Sequence, residues 1–249
     1  MAISALTLIS KISKAKLPSN NLANDPIFLT KQMGLDFKNP IGLAAGFDVD
    51  AECLPALQRF GFGFVEVGGV TFNPQKGNPK PRIFRLPKDR ALINRLNFFN
   101  KGALHLSKQL EDVRKKNTLD IKVGVNLGKA SSIPLEQTPS EYLKTFEVIC
   151  DVCDYVTINI SCPNVENFSE LQAETELTEI LSHLKQIQKA LTKRFRKYTP
   201  LILKISPDLN FAAVEVTAKI IKNYEIDGLI ATNTSTTRPN LQDPQQQET

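Results

Sequence analysis

Tyr155-Val156-Thr157-Ile158-Asn159-Ile160-Ser161-Cys162-Pro163-Asn164 is the run from which the rest of the chain is read. Its first four residues form an apolar, β-branched stretch that predicts a buried strand. The next six place two carboxamides, a hydroxyl and a thiol at that strand's C-terminal end. Pro163 has no N–H and ends strand pairing. In parallel α/β folds this is the edge where sites are built. A thiol between two amides suits removal of a proton from a substrate carbon while the amides hold the substrate's polar groups.

Working outward, strands and helices alternate. Apolar runs predict further strands over 41–44, 62–67, 121–127, 201–205 and 228–231. Helical periodicity covers 51–60, 101–116, 140–153, 177–195 and 211–224, and a Pro- and Gly-rich excursion over 70–96 holds a predicted hairpin at 82–86 and 91–94. Such alternation implies right-handed βαβ units and a parallel sheet. Polar or small groups close nearly every strand: Ala45, Gly46 and Asp48, then Gly68 and Gly69, then Asn126, Asn159, Lys204 and Thr232-Asn233-Thr234. Delivery of such groups from six strand ends to one face predicts an α/β fold of the TIM (β/α)8 type. No G-x-G-x-x-G and no phosphate-binding P-loop favours a doubly wound sheet instead. A full barrel needs eight strands; the six predicted here make it incomplete, at about six of eight βα units, with exposed edges that favour self-association.

Composition narrows the function classes. The chain has 249 residues, 41% hydrophobic and 23% charged, with a net charge of +5, an ordinary globular balance. The basic clusters Arg114–Lys116 and Lys193–Lys197 fall at predicted helix ends, where cations suit the helix dipole. No aromatic stacking platform accompanies them, so no nucleic-acid partner is expected. Of the four cysteines, Cys150 and Cys153 have redox or metal spacing, but no second pair completes a site, so two core cysteines on one helix and no metal are expected. No stretch is long enough to cross a bilayer. Residues 2–16 predict one amphipathic helix, with packing on the domain favoured over a membrane surface.

Eight stretches, in order from about Gln32 to the C-terminus, resemble the dihydroorotate dehydrogenase family, its quinone-dependent class in particular. They are GLDFKNPIGLAAGFD (34–48), GFGFVEVG (61–68), PQKGNPKPRIFRLP (74–87), INR (93–95), GVNLGK (124–129), NISCPN (159–164), LKISPDL (203–209) and DGLIATNT (227–234). The resemblance implies an FMN-containing barrel that oxidises (S)-dihydroorotate to orotate in pyrimidine synthesis, with quinone as acceptor. It implies a shortened N-terminal helical extension over 1–31, facing membrane and quinone, and a partial FMN-binding barrel over 32–249. The expected location is the cytoplasm, or the periphery of the inner membrane.

By the same resemblance, Cys162 stands where the base stands. Asn94, Asn159, Asn164 and Asn233 match amides that hold orotate, with Thr234 beside them, and Phe98 matches an aromatic near the base. Asn126, Asn159, Lys204 and Thr232 match FMN contacts, as do the backbone groups of Ala44, Ala45 and Gly46. Each has a plain alternative: Asn94 and Asn126 as loop caps, Lys204 as a surface lysine, Cys162 as an inert thiol.

Several positions depart from the family. The base is usually serine in the quinone-dependent class, whereas Cys162 is a thiol, with an unperturbed pKa of about 8.5. Val49 stands for a lysine that contacts flavin and substrate. Gly69 replaces a hydroxyl residue, Asn97-Phe98-Phe99 a Gly-Phe-Asn run, and Val165 a threonine. The family's last two strands, whose loops bind the FMN phosphate, are not in this sequence. Two functions are therefore expected: a dihydroorotate dehydrogenase, active with a complementing C-terminal fragment, or a truncated, non-catalytic remnant of one.

Overall fold

The computed structural model describes residues 3, 6, 7, 25–116, 119–161, 174–238 and 241–242. The hairpin of β1 (Thr30–Gln32) and β2 (Leu35–Phe37) comes first. Then β3 (Gly42–Leu43) and β4 (Phe64–Val70) open a parallel sheet, and the hairpin of β5 (Ile83–Leu86) and β6 (Ala91–Asn94) follows. The sheet resumes with β7 (Lys122–Leu127), β8 (Tyr155–Asn159), β9 (Leu201–Ile205) and β10 (Gly228–Ala231). Its spatial order is β10-β9-β8-β7-β4-β3, all parallel, and it curls into an incomplete barrel of six strands.

Strand alternation sorts the side chains into two layers. Outward-facing Val65, Val67, Val123, Val125, Val156, Ile158, Leu201 and Leu203 are buried against the helices in the main core. On the concave side Phe37, Tyr155 and Ile202 form a second, smaller cluster, with Phe64 and Ile230 partly buried against it. The β1–β2 hairpin floors this concave side. Met33 and Gly34 turn it at φ +54° and +74°, the left-handed pair that a two-residue hairpin loop requires. The Phe64 ring meets Phe37 at 5.5 Å and Tyr155 at 6.5 Å, both edge to face. The two outer strands leave one side open. Ile41 is 63% exposed at the β3 edge, Leu229 is 48% exposed on β10, and Phe211 is 78% exposed at the start of the last helix.

The helices Ala103–Lys115, Thr138–Ile149, Glu174–Phe195 and Phe211–Asn223 cover the convex side. The last is capped by Asn210, whose Oδ1 accepts from Ala213 N at 2.9 Å. Two predicted helices are shorter than expected. The helix read over 51–60 is one turn, Leu54–Leu57, followed by the 3-10 turn Gln58–Phe60. Ala51 sits at φ +58°, outside helical space, and the Asp48 carboxylate gathers Glu52 N and Cys53 N at 2.8 and 2.9 Å. The helix read over 140–153 ends at Ile149, so Cys153 lies beyond it rather than on it. Both Cys150 and Cys153 are buried, and burial pushes their thiols up to about 11 and about 12. The N-terminal segment is seen only at Ile3, Leu6 and Thr7, which are helical. Ile3 and Leu6 pack on the main core, and the Thr7 hydroxyl lies 3.3 Å from Glu52 O. Among the described residues no helix is long and apolar enough to cross a membrane.

Candidate active site

The parallel strands all point their C-terminal ends the same way, and a cavity of about 140 Å³ opens there. Nine of the residues expected to bind flavin or substrate line it, as do Val49, Gly69, Asn97 and Phe99. Ala45 and Gly46 follow β3, Asn94 ends β6, and Phe98 comes from the loop after it. Asn126, Asn159 and Lys204 project from β7, β8 and β9, and Asn233 and Thr234 follow β10. Ala44 and Thr232 are not in this lining. Ala44 lines a larger concave groove of about 500 Å³, which shares Lys204 with the first cavity. Thr232 is exposed, and its hydroxyl donates to Asn233 O at 2.9 Å. Cys162 and Asn164 lie outside the described residues, as does Val165.

A continuous chain of hydrogen bonds ties the strand ends together. Asn126 donates through Nδ2 to Glu66 Oε1 at 2.8 Å, and Thr157 Oγ1 donates to Glu66 Oε2 at 2.7 Å. Asn159 Nδ2 donates to Asn126 Oδ1 at 3.0 Å. In turn Asn159 Oδ1 accepts from Ser161 N and Ser161 Oγ, each at 3.1 Å, and lies 3.5 Å from Asn233 Nδ2. Asn233 Nδ2 also donates to Ser161 O at 2.8 Å. From the convex side, the Tyr142 hydroxyl donates to Asn159 O at 2.7 Å. Ser161 is the hydroxyl read at the end of β8 in the sequence; Glu66 and Thr157 were not assigned to the site there. A usable signal was present: Glu66 is a charged residue within a buried apolar strand run, between Val65 and Val67, and such a group is retained only where it has partners.

Lys204 lies beside Asn159 in the β8–β9 register, is only 8% exposed, and takes part in none of the ion pairs among the described residues. Both cavities therefore meet at a buried ammonium. Below it, burial and the negative charge of Glu66 together hold the Tyr155 hydroxyl well above the usual phenol range.

The aromatic wall is Phe98. A Cβ at Gly69 would fall 2.3 Å from the Phe98 ring, and one at Gly128 would fall 2.8 Å from it. The ring thus occupies the space that a hydroxyl residue at 69 would need. Asn97 and Phe98 both take left-handed backbone, at φ +55° and +43°. Asn97 is anchored on three sides. Its Oδ1 accepts from Ser131 Oγ at 2.7 Å, its carbonyl from Gln75 Nε2 at 2.6 Å, and its Nδ2 donates to Asn78 Oδ1 at 3.1 Å. Val49 lines the cavity, and Gly68 N donates to its carbonyl at 3.1 Å.

The segment after Asn233 and Thr234 is pinned from outside. Asp208 accepts from Ser235 Oγ at 2.6 Å, Thr236 N at 2.7 Å and Thr236 Oγ1 at 2.8 Å, and these bonds lower its carboxyl pKa below 3.8. A depressed carboxylate stabilises the segment above its unfolded pKa and releases it as pH falls through the lower, folded value. Amide exchange at Thr236 should thus stay slow down to pH 4 and become fast in stronger acid, and Asp208→Ala should make it fast at neutral pH.

Three comparisons bear on this arrangement. Residues 28–249 match the model of the dihydroorotate dehydrogenase family. A protein of Idiomarina loihiensis named dihydroorotate dehydrogenase (quinone) is 44% identical over 243 residues, which is 96% of this chain and 71% of the relative. One of Coxiella burnetii with the same name is 46% identical over 209 residues, which is 84% of this chain and 59% of the relative. The crystal structure of DHODH from Eimeria tenella in complex with ferulenol superposes with a TM-score of 0.90 at 34% identity, covering all of this chain and 70% of that one. The chain thus spans between about three fifths and seven tenths of the length of these relatives. With these matches over a curled sheet of six parallel strands, this chain belongs to the dihydroorotate dehydrogenase family.

Proposed function

We propose that this chain forms the pyrimidine- and flavin-binding portion of a dihydroorotate dehydrogenase, which oxidises (S)-dihydroorotate to orotate in pyrimidine synthesis. The observation that carries the reading is the donor character of Asn126, Asn159 and Lys204, which line the cavity side by side from β7, β8 and β9. Each carboxamide nitrogen has two hydrogens. Asn126 and Asn159 each spend one on the internal chain, and the acceptor Oδ1 of Asn159 is already taken by its own neighbours. With Lys204 they offer N–H groups and positive charge to a ligand rich in carbonyl oxygens. Orotate and the dione edge of a flavin are both such ligands, so the residues present fit FMN.

In this reading Asn126, Asn159, Lys204, Thr232 and the backbone of Ala44, Ala45 and Gly46 hold FMN, whose bound ring supplies the acceptor for the C6 hydride. Lys204 offsets negative charge on the ring. Asn94, Asn159, Asn164, Asn233 and Thr234 orient dihydroorotate, and Phe98 excludes water from one side. The Cys162 thiolate takes the C5 proton. Quinone is the terminal acceptor, residues 1–31 are the side that meets quinone and the inner membrane, and residues 32–249 are the barrel portion. Two further βα units, in this or another polypeptide, close the open side between β3 and β10.

A second reading, a non-catalytic remnant, is favoured by Val49. An aliphatic side chain lines the cavity where the family offers a cation. The visible spectrum of the purified protein, before and after anaerobic dihydroorotate, separates the two. A yellow protein that bleaches is the expected result; a protein that stays colourless with added FMN sinks the first reading in favour of the second.

A further inference from the structure

The Phe98 ring sits in a seat made by two glycines at neighbouring strand ends. Gly69 lies at the irregular end of β4, Gly128 directly follows β7, and these two strands pair in parallel. A Cβ on Gly69 would overlap Cδ1 and Cε1 of the ring, and its next neighbour is Asn126 Oδ1 at 3.4 Å. A Cβ on Gly128 would meet the opposite edge of the same ring, with Cε2 and Cζ at 2.8 Å and Cδ2 at 2.9 Å. Neither glycine has a left-handed φ, so the conflict that an alanine meets first at either position is with the ring.

The backbone that carries the ring is fixed on both sides. Asn97 is held by Ser131, Gln75 and Asn78, and the Phe98 carbonyl accepts from Asn100 Nδ2 at 2.7 Å. The ring therefore leaves its seat by side-chain rotation, with the loop in place. Size gives that rotation a consequence. The cavity beside the ring has a volume of about 140 Å³. A cavity of about 150 Å³ holds one six-membered ring, and sites for larger ligands begin at about 300 Å³. A pyrimidine fits with Phe98 seated; the three fused rings of a flavin do not. The seat adjoins Asn126, so vacating it extends the cavity along the amides of the strand ends.

We propose that Phe98 is a specificity-determining residue, a side-chain gate seated on Gly69 and Gly128. With the ring in its seat the cavity takes a single-ring carboxylate, and with the ring out it takes a flavin. The proposal rests on the flavin reading above and goes beyond it by naming what limits entry. Displacing the ring lowers the apparent flavin affinity by the fraction of molecules in which the seat is empty. A methyl group in the seat removes that penalty.

FMN titration of the full chain, followed by quenching of flavin fluorescence, tests the gate in Gly69→Ala and in Gly128→Ala, which press on opposite edges of the ring. Calorimetric titration with orotate runs beside it, and reports that each variant has kept its site. FMN should bind about tenfold more tightly in both variants, the gain from releasing an open form that holds about one molecule in ten. Orotate affinity should stay as in the wild type. In a Phe98→Ala background, Gly69→Ala should add nothing, because the seat is already empty. A ring that only packs the cavity wall predicts the reverse, with both ligands weakened by either alanine. FMN binding that is unchanged or weaker in the two variants overturns the gate and leaves the flavin reading standing. A gain that persists without Phe98 overturns the ring as its cause. Orotate binding with no FMN binding in any of these proteins, Phe98→Ala included, refutes the flavin reading and the gate with it.

Discussion

Gly124→Ala should melt about 6–12 °C below the wild-type protein. A Cβ on Gly124 would stand 2.1 Å from Cζ of Tyr155, on the neighbouring strand β8 and in direct register with it. Neither backbone can retreat, because Gly124 is paired to Glu66 on one side and Tyr155 on the other. The ring must leave. It is 3% exposed, makes an edge-to-face contact with Phe64, and sits against Glu66. Overpacking of this kind costs about 3 kcal/mol, and in a protein of this size each kcal/mol moves the melting temperature by about 2–4 °C. Gly228→Ala is the control. There the nearest atom to the added Cβ is the flexible end of Met33 at 3.3 Å, so the melting temperature should shift little. Tyr155→Leu in the Gly124→Ala background should recover part of the loss, since the two residues share one space. Equal melting of the two alanine variants would refute the steric account of the concave core.

Lys204→Met should separate stability from ligand binding. The ammonium is nearly buried and no carboxylate pairs with it among the described residues. Burying such a charge is unfavourable, and an apolar side chain of similar length removes the penalty. The variant should be at least as stable as the wild type. Its affinity for FMN and for orotate should fall by roughly 10- to 150-fold, the effect of losing about 1.5–3 kcal/mol of charge-assisted hydrogen bonding. Calorimetric titration with orotate, alongside thermal melting, reads both quantities. A variant that melts lower and binds as before would make Lys204 a structural residue.

The barrel was legible in the sequence because its strands are short apolar runs, most of them buried on both sides. Leu201–Ile205 and Gly228–Ala231 fall where their apolar runs place them, and the hairpin Ile83–Leu86 with Ala91–Asn94 was announced by the turn residues between its arms. The β1–β2 hairpin was not read. Its strands have only three residues each and its turn is Met33-Gly34, which lacks the Asn-Gly or Asp-Gly signal. Helix ends were misjudged where a single backbone angle decides, as at Ala51, or where apolar periodicity outlasts the helix, as at Cys153. The cavity's amides could be named from strand-end position alone. Their partners could not, because Asn126 meets Glu66, 60 residues away in the chain, and Asn159, 33 residues away. Phe98 over Gly69 was equally hidden, since two separate departures from the family pattern only become one event when the ring and the missing Cβ are seen to share a volume.

The order of strands across the sheet has a further consequence for how the chain is made. From β3 onward each strand of the sheet pairs with the sheet strand that precedes it in sequence, and none is inserted between two that came earlier. A ribosome releasing this chain therefore presents every strand to a neighbour already outside the exit tunnel. Growth is by addition to one edge, in the direction of synthesis, so no pairing has to wait for a segment not yet made. From β4 to β10 the growing edge is covered by the next strand made, while the β3 edge stays as it was first formed.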